Sequence, residues 1–186
     1  MIRTALIAGV TALLASTPVA AHDHTAHAST ASGPQMVHAD VLDLAGKKIG
    51  MVMLQETPAG VLVSTDIRGL PAGEHGFHFH EKGACEVRQK FTTAGGHFTG
   101  GHAQHGLFVE GGNHAGDMPN AYVGADGTLK LQLLNTGVTL SEGAKSLLDA
   151  DGSALVIHAK ADDYKSQPAG AAGDRIACAV IAAPKK

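Results

Sequence analysis

His75-Gly76-Phe77-His78-Phe79-His80 is the stretch that decides the fold. As a strand, its side chains alternate between faces, so Phe77 and Phe79 share one side and His78 and His80 the other. The aromatic side can anchor the strand in a core. Two imidazoles two residues apart on a rigid backbone can grip one metal ion, and the rest of the ligand set must come from elsewhere in the chain.

Upstream of it the chain reads as short strands and turns. Residues 37–44, 48–55 and 61–67 are predicted strands, separated by turns at Ala45-Gly46-Lys47 and Thr57-Pro58-Ala59-Gly60. Gly69-Leu70-Pro71-Ala72-Gly73 is a turn that feeds the histidine strand. Downstream, residues 82–119 are glycine-rich, carry His97, His102, His105 and His114, and show no sustained periodicity. A structureless loop this long inside a domain is uncommon and is either functional or disordered; metal ligation would order it. Residues 121–123 and 128–134 read as a hairpin around Gly124-Ala125-Asp126-Gly127, and 141–148 as either a loop or a short helical turn. Residues 154–160 form a strand with His158, 161–174 a second loop, and 175–182 the last strand with Cys178.

A length of 186 residues suits one domain with a real core. With 17% charged residues and a net charge of -3, nothing points to a nucleic-acid partner. Residues 1–21 read as a signal peptide: Arg3 leads an apolar run over 5–14, and Val19-Ala20-Ala21 makes a small-residue cleavage site. The run is too short to span a bilayer comfortably, so the expectation is export to the periplasm without stable membrane association. In that oxidising space Cys85 and Cys178 are expected to pair, two separate buried thiols being the alternative. Residues 22–35 form a polar, histidine-bearing tail expected to be disordered, ahead of a domain over 36–186. After cleavage, His24 would be the third residue behind a free amine, an arrangement that offers Cu(II) a square plane, with His22 and His27 assisting. A solvated tail without a metal role is the competing reading.

Twelve histidines against two cysteines point to imidazole ligation. Imidazole suits copper, zinc, nickel and iron, and three imidazoles with one carboxylate suit zinc. The fragments Gly76-Phe77-His78-Phe79-His80-Glu81, Ala94-Gly95-Gly96-His97-Phe98, His105-Gly106, His114-Ala115-Gly116-Asp117, the run from Val156 through His158 to Asp163, and Gly173-Asp174-Arg175-Ile176-Ala177-Cys178 stand in a telling order. Together they resemble the exported bacterial copper/zinc superoxide dismutases, over nearly everything from Val37 to the C-terminus.

That resemblance implies copper on His78, His80, His97 and His158, and zinc on His97, His105, His114 and Asp117, with His97 bridging the two. It implies that Asp162 orients one ligand histidine of each metal, that Cys85 and Cys178 form the family's disulfide, and that Arg175 receives the substrate. Superoxide would then be converted to dioxygen and hydrogen peroxide by copper redox cycling, with His97 handing on a proton. Lys160 and Lys165 are candidates for steering the anion. His75 takes a structural role, and His38 and His102 are expected at the surface. The implied fold is all-β, an antiparallel Greek-key β-sandwich or flattened barrel of about eight strands with a long metal-binding loop and a second active-site loop. The chain would act as a monomer or a homodimer. A non-catalytic store for copper or zinc is the reading from a different class.

Overall fold

The structure is a computed structural model that describes residues 35–102 and 104–182. The expected signal peptide and the tail residues His22, His24 and His27 lie outside the described residues.

Alternation builds the first three strands. Val37, Ala39 and Val41 of β1 (Met36–Asp43), Val52 and Leu54 of β2 (Lys48–Thr57), and Val61, Val63 and Ile67 of β3 (Gly60–Arg68) are all buried. The register matches these faces, with Leu54 between Val37 and Val63, and Val52 between Ala39 and Thr65. A slip of one residue would turn each apolar set to solvent, which is what fixes the pairing.

The remaining strands are β4 (Gly73–His75), β5 (Phe77–His80), β6 (Ala121–Val123), β7 (Thr128–Asn135), β8 (Ser153–His158) and β9 (Arg175–Ile181). Seven of them form one antiparallel sheet in the order β5-β8-β9-β1-β2-β3-β7, while β4 pairs with β6. Only Gly76 separates β4 from β5, so one extended segment pairs with β6 along its first part and with β8 along its second. Counting that segment once leaves eight strands. Since β6 turns directly into β7, the β4–β6 pair links both edges of the curled sheet into a flattened barrel. The chain leaves β3 near one edge and next enters the sheet at the other, in β5, the kind of crossing that makes a Greek key.

Phe77 and Phe79 are fully buried in the main core with Leu155 and Ile157 of β8. A smaller apolar cluster of Phe91, Ala94, Ala154, Val156 and Cys178 covers the other face of β8 and β9. The Cys85–Cys178 disulfide joins the long loop to β9 within it. One expectation changes, and one open alternative is resolved. Residues 121–134 are joined by a tight turn, with the Gly124 N–H donating to the Thr128 carbonyl, yet β6 pairs with β4 and not with β7. Residues 141–148 form turns, pinned where the Glu56 carboxylate accepts the N–H groups of Leu140 and Ser141.

The disulfide closes a sequence separation of 93 residues. In the chain-entropy view, replacing both cysteines by serine should cost the metal-free protein up to about 4.7 kcal/mol in urea unfolding, and a loss below about 1 kcal/mol would contradict that role.

Candidate metal centre

The long loop is held on the free edge of β5 by backbone hydrogen bonds. The Phe79 N–H donates to the Gly116 carbonyl (3.0 Å), the Phe98 N–H to the Phe79 carbonyl (2.8 Å), and the Glu81 N–H to the Gly96 carbonyl (3.0 Å). His97 therefore lies beside His80, and Asp117 beside His78, as bridged pairs. Gly116 has to be glycine here, because a Cβ would lie 2.5 Å from the Phe79 carbonyl oxygen and 3.0 Å from the Phe98 Cβ.

A β-bulge sets the other side. Ile157 faces Ala177 but His158 faces Arg175, so Ile176 is the extra residue of β9. Ile176 packs against the main core and Arg175 turns to the outer face with His158, the usual way a bulge re-aims a side chain. Arg175 is fixed by two carbonyls, Nη1 donating to Phe91 (2.7 Å) and Nη2 to Gly95 (2.6 Å). It forms no ion pair among the described residues.

Two four-residue sets emerge, His78, His80, His97 and His158, and His97, His105, His114 and Asp117, each with its donor atoms within 4.8 Å of one another. All seven residues are buried, and His97 belongs to both sets. Hydrogen bonds on one nitrogen of most rings decide which nitrogen points inward. His78 Nε2–H donates to Asp162 (2.7 Å), His80 Nδ1–H to the Gly95 carbonyl (3.0 Å) and His158 Nδ1–H to the Gly173 carbonyl (3.2 Å). His105 Nε2–H donates to the other oxygen of Asp162 (3.0 Å), so one carboxylate orients a ring from each set. His97 Nδ1 meets Asp117 at 2.8 Å, and its Nε2 faces the first set.

Four of the five buried side-chain polar atoms without a hydrogen-bond partner among the described residues are His78 Nδ1, His97 Nε2, His105 Nδ1 and His114 Nδ1. Orphaned buried nitrogens are costly, and several converging ones mark a place for a cation. Ring nitrogens facing a shared space, with a carboxylate on one side only, suit copper in the first set and zinc in the second.

Electrostatics agree with that division. Burial pushes His78 down to about 4 against the pull of Asp162, and takes His158 to about 3 with help from His78. Burial also carries His80 well below the ordinary range and lowers His114. At His105 burial works in the same direction, but the Asp117 carboxylate, with one oxygen 3.0 Å from Nδ1, and the hydrogen bond to Asp162 outweigh it and hold the ring up to about 9. Despite burial, His105 and His97 keep Asp117 well below the usual carboxylate range, and His105 and His78 do the same for Asp162. Without metal, a proton on His105 offsets negative charge that a dication would otherwise neutralise.

Beside the first set, a cavity of about 250 Å³ is lined by His80, His97, His158 and Arg175, with Glu81, Thr99 and Pro168 among its other walls. Neither Lys160 nor Lys165 lines it; Lys165 Nζ instead sits 5.8 Å from the centre of the Phe108 ring. His75 has its two ring nitrogens at the His158 and Pro71 carbonyls, while His38 and His102 are exposed, all as expected.

Several positioning groups escape sequence reading. The Asn120 amide pairs with both backbone groups of Asp162 (2.8 and 2.9 Å), and the Gln167 amide pairs with both backbone groups of His105 (2.9 and 2.7 Å). The Asn120 N–H donates to the Tyr164 hydroxyl (2.7 Å). Gly170 leaves room that a Cβ would take from Asp162 and His105. Asn120 stands three residues after Asp117, and nothing in either amide's own sequence context marks it.

A curled antiparallel β-barrel with a buried, shared-histidine double site defines a class of metalloprotein. The family profile described as copper/zinc superoxide dismutase (SODC) matches residues 48–181, and the chain belongs to that family. It is 49% identical over 146 residues to superoxide dismutase [Cu-Zn] 2 of Aquifex aeolicus, covering 77% of this chain and 85% of the relative. Among solved structures, a SOD-like protein from Bacillus subtilis superposes with a TM-score of 0.74 at 37% identity, covering 77% of this chain and 97% of that one. The Cu/Zn superoxide dismutase from Brucella abortus gives a TM-score of 0.65 at 30% identity, covering 79% and 99%.

The depressed imidazoles stay neutral in the folded metal-free protein while the unfolded chain protonates below about pH 6.5, so stability should fall as pH drops from there through 4. His78, His80 and His158 each contribute up to about 1.4 kcal/mol per pH unit over that window. His105 acts with the opposite sign: its stabilisation is complete below 6.5 and is lost as pH rises through about 9. Urea unfolding of the metal-free protein should therefore show a maximum near neutrality with a steep acid limb. A flat profile from pH 4 to 9 would contradict this electrostatic arrangement.

Proposed function

We propose that the chain is an exported superoxide dismutase of the periplasm, turning two superoxide ions and two protons into dioxygen and hydrogen peroxide. The observation that carries this reading is His97, a ring with one nitrogen in each ligand set, at the wall of a cavity that also holds Arg175. A metal store needs neither feature.

Copper would be held by His78 Nδ1 and by the Nε2 atoms of His80, His97 and His158. Zinc would be held by the Nδ1 atoms of His97, His105 and His114 together with Asp117. Copper supplies the one-electron cycling by which superoxide is oxidised in one half-reaction and reduced in the other, and zinc is redox-inert.

Arg175 binds and orients the anion. Its guanidinium keeps its charge at any working pH, and two carbonyl contacts leave further N–H donors for a small oxyanion. The Gly95 carbonyl accepts from both Arg175 and His80, so the anion-binding residue and a ligand share one anchor. His97 keeps its ring in place through Nδ1, which leaves Nε2 able to take up a proton and deliver it to the product in the cavity. Pro168 and Ala169 of the second loop add apolar wall to that cavity. The Cys85–Cys178 disulfide and the apolar leader over 1–21 support export.

Superoxide dismutases are a standing example of electrostatic steering, and a cation at the cavity should raise the capture rate in a salt-dependent way. Purified protein carrying copper and zinc should accelerate superoxide decay in pulse radiolysis, with a rate that falls as salt is added. Arg175→Glu should lower that rate by about tenfold or more and invert the salt trend. Fully metallated protein that leaves superoxide decay unchanged would overturn the reading.

A further inference from the structure

Three of the four methionines after the initiator, Met36, Met51 and Met53, stand on the outer face of β1 and β2, while Met118 is buried. Alternation calls for polar side chains on that face, yet Met51 is 41% exposed. Met51 and Met53 are two residues apart on one strand, so both thioethers project from the same side. The register places His38 of β1 directly opposite Met53, and Asp40 and Asp66 on either side of Met51. Directly opposed residues bring their Cβ atoms to about 4.5–5.5 Å, close enough for an imidazole and a thioether to meet on one ion. His38, Met51 and Met53 also line a single surface cavity of about 180 Å³, with Ser64, Thr65 and Asp66 as its other walls.

We propose that His38, Met51 and Met53 form a separate surface site for a soft monovalent cation, Cu(I) in the first place. Thioether sulfur is soft and polarisable, and such ligands select Cu(I) over zinc, calcium or magnesium. The imidazole from the neighbouring strand supplies a third donor, and two paired β-strands hold all three in register. The flanking carboxylates are already engaged, Asp40 by Lys48 at 2.6 Å and Asp66 by Lys130 at 3.7 Å and Arg68 at 4.0 Å. The local charge is thus close to balance, which favours a monovalent ion over a divalent one. None of the three ligands belongs to either buried set, so this site is independent of the reaction proposed above.

Silver(I) is a redox-stable probe for such a site. Full-length mature protein, loaded beforehand with copper and zinc and labelled at the methionine methyls, is titrated with silver nitrate and followed by NMR. The Met51 and Met53 methyl resonances should shift together and saturate, while Met118 stays put. Met51→Leu/Met53→Leu should take up one equivalent less silver than the parent protein, and His38→Gln should bind that equivalent at least tenfold more weakly. Leucine conserves volume, so the double variant should keep its superoxide turnover, which reports that the fold is intact. Silver taken up elsewhere in the chain is common to both proteins and drops out of the difference. Unmoved Met51 and Met53 methyls, or equal uptake by the parent and the double variant, would overturn the proposal.

Discussion

The pairing of the long loop with the free edge of β5 is the contact on which the rest of the site depends. An exposed edge strand is a liability that proteins cover or pair. Here the covering segments are those that carry His97 and Asp117, so satisfying the Phe79 and Phe98 backbone groups also sets two ligand side chains beside His78 and His80. The same hydrogen bonds leave no space for a side chain at position 116. Loop order and ligand geometry are in this way one problem with one solution.

Asp162 extends that solution to the second loop. Its two oxygens reach His78 on the strand and His105 on the loop, and its own backbone is held by the Asn120 amide. Gln167 clamps His105 from the same loop. Strand, first loop and second loop are therefore tied by carboxylate and amide contacts around four unpartnered buried nitrogens. Each such nitrogen is a cost of roughly 1–3 kcal/mol that a bound cation would relieve, so metal binding and stability are linked here.

Much of this was legible in the sequence. Alternating Phe and His in residues 77–80 told which side faces the core, and the histidine-rich glycine loop told where further ligands lie. The resemblance assigned the individual ligands, and the structure gathers those residues into two sets with His97 in common. What stayed hidden depends on tertiary contact. The extra residue Ile176 turns Arg175 toward the cavity, and no local pattern announces a bulge. Residues 121–134 carry a hairpin's turn chemistry, but the pairing of β6 with β4 follows from how the barrel closes. Asn120 and Gln167 act through backbone groups far away in sequence. The seat of Lys165 over the Phe108 ring is likewise set by folding alone.

The central claim is that one imidazole, that of His97, is shared between two different metals. Anomalous diffraction from a crystal of the metallated protein, recorded at the copper and zinc absorption edges, tests it most directly. The expected result is a copper peak among His78, His80, His97 and His158 and a zinc peak among His97, His105, His114 and Asp117, one on each nitrogen of the His97 ring. A single peak, or two peaks with His97 touching only one of them, would contradict it.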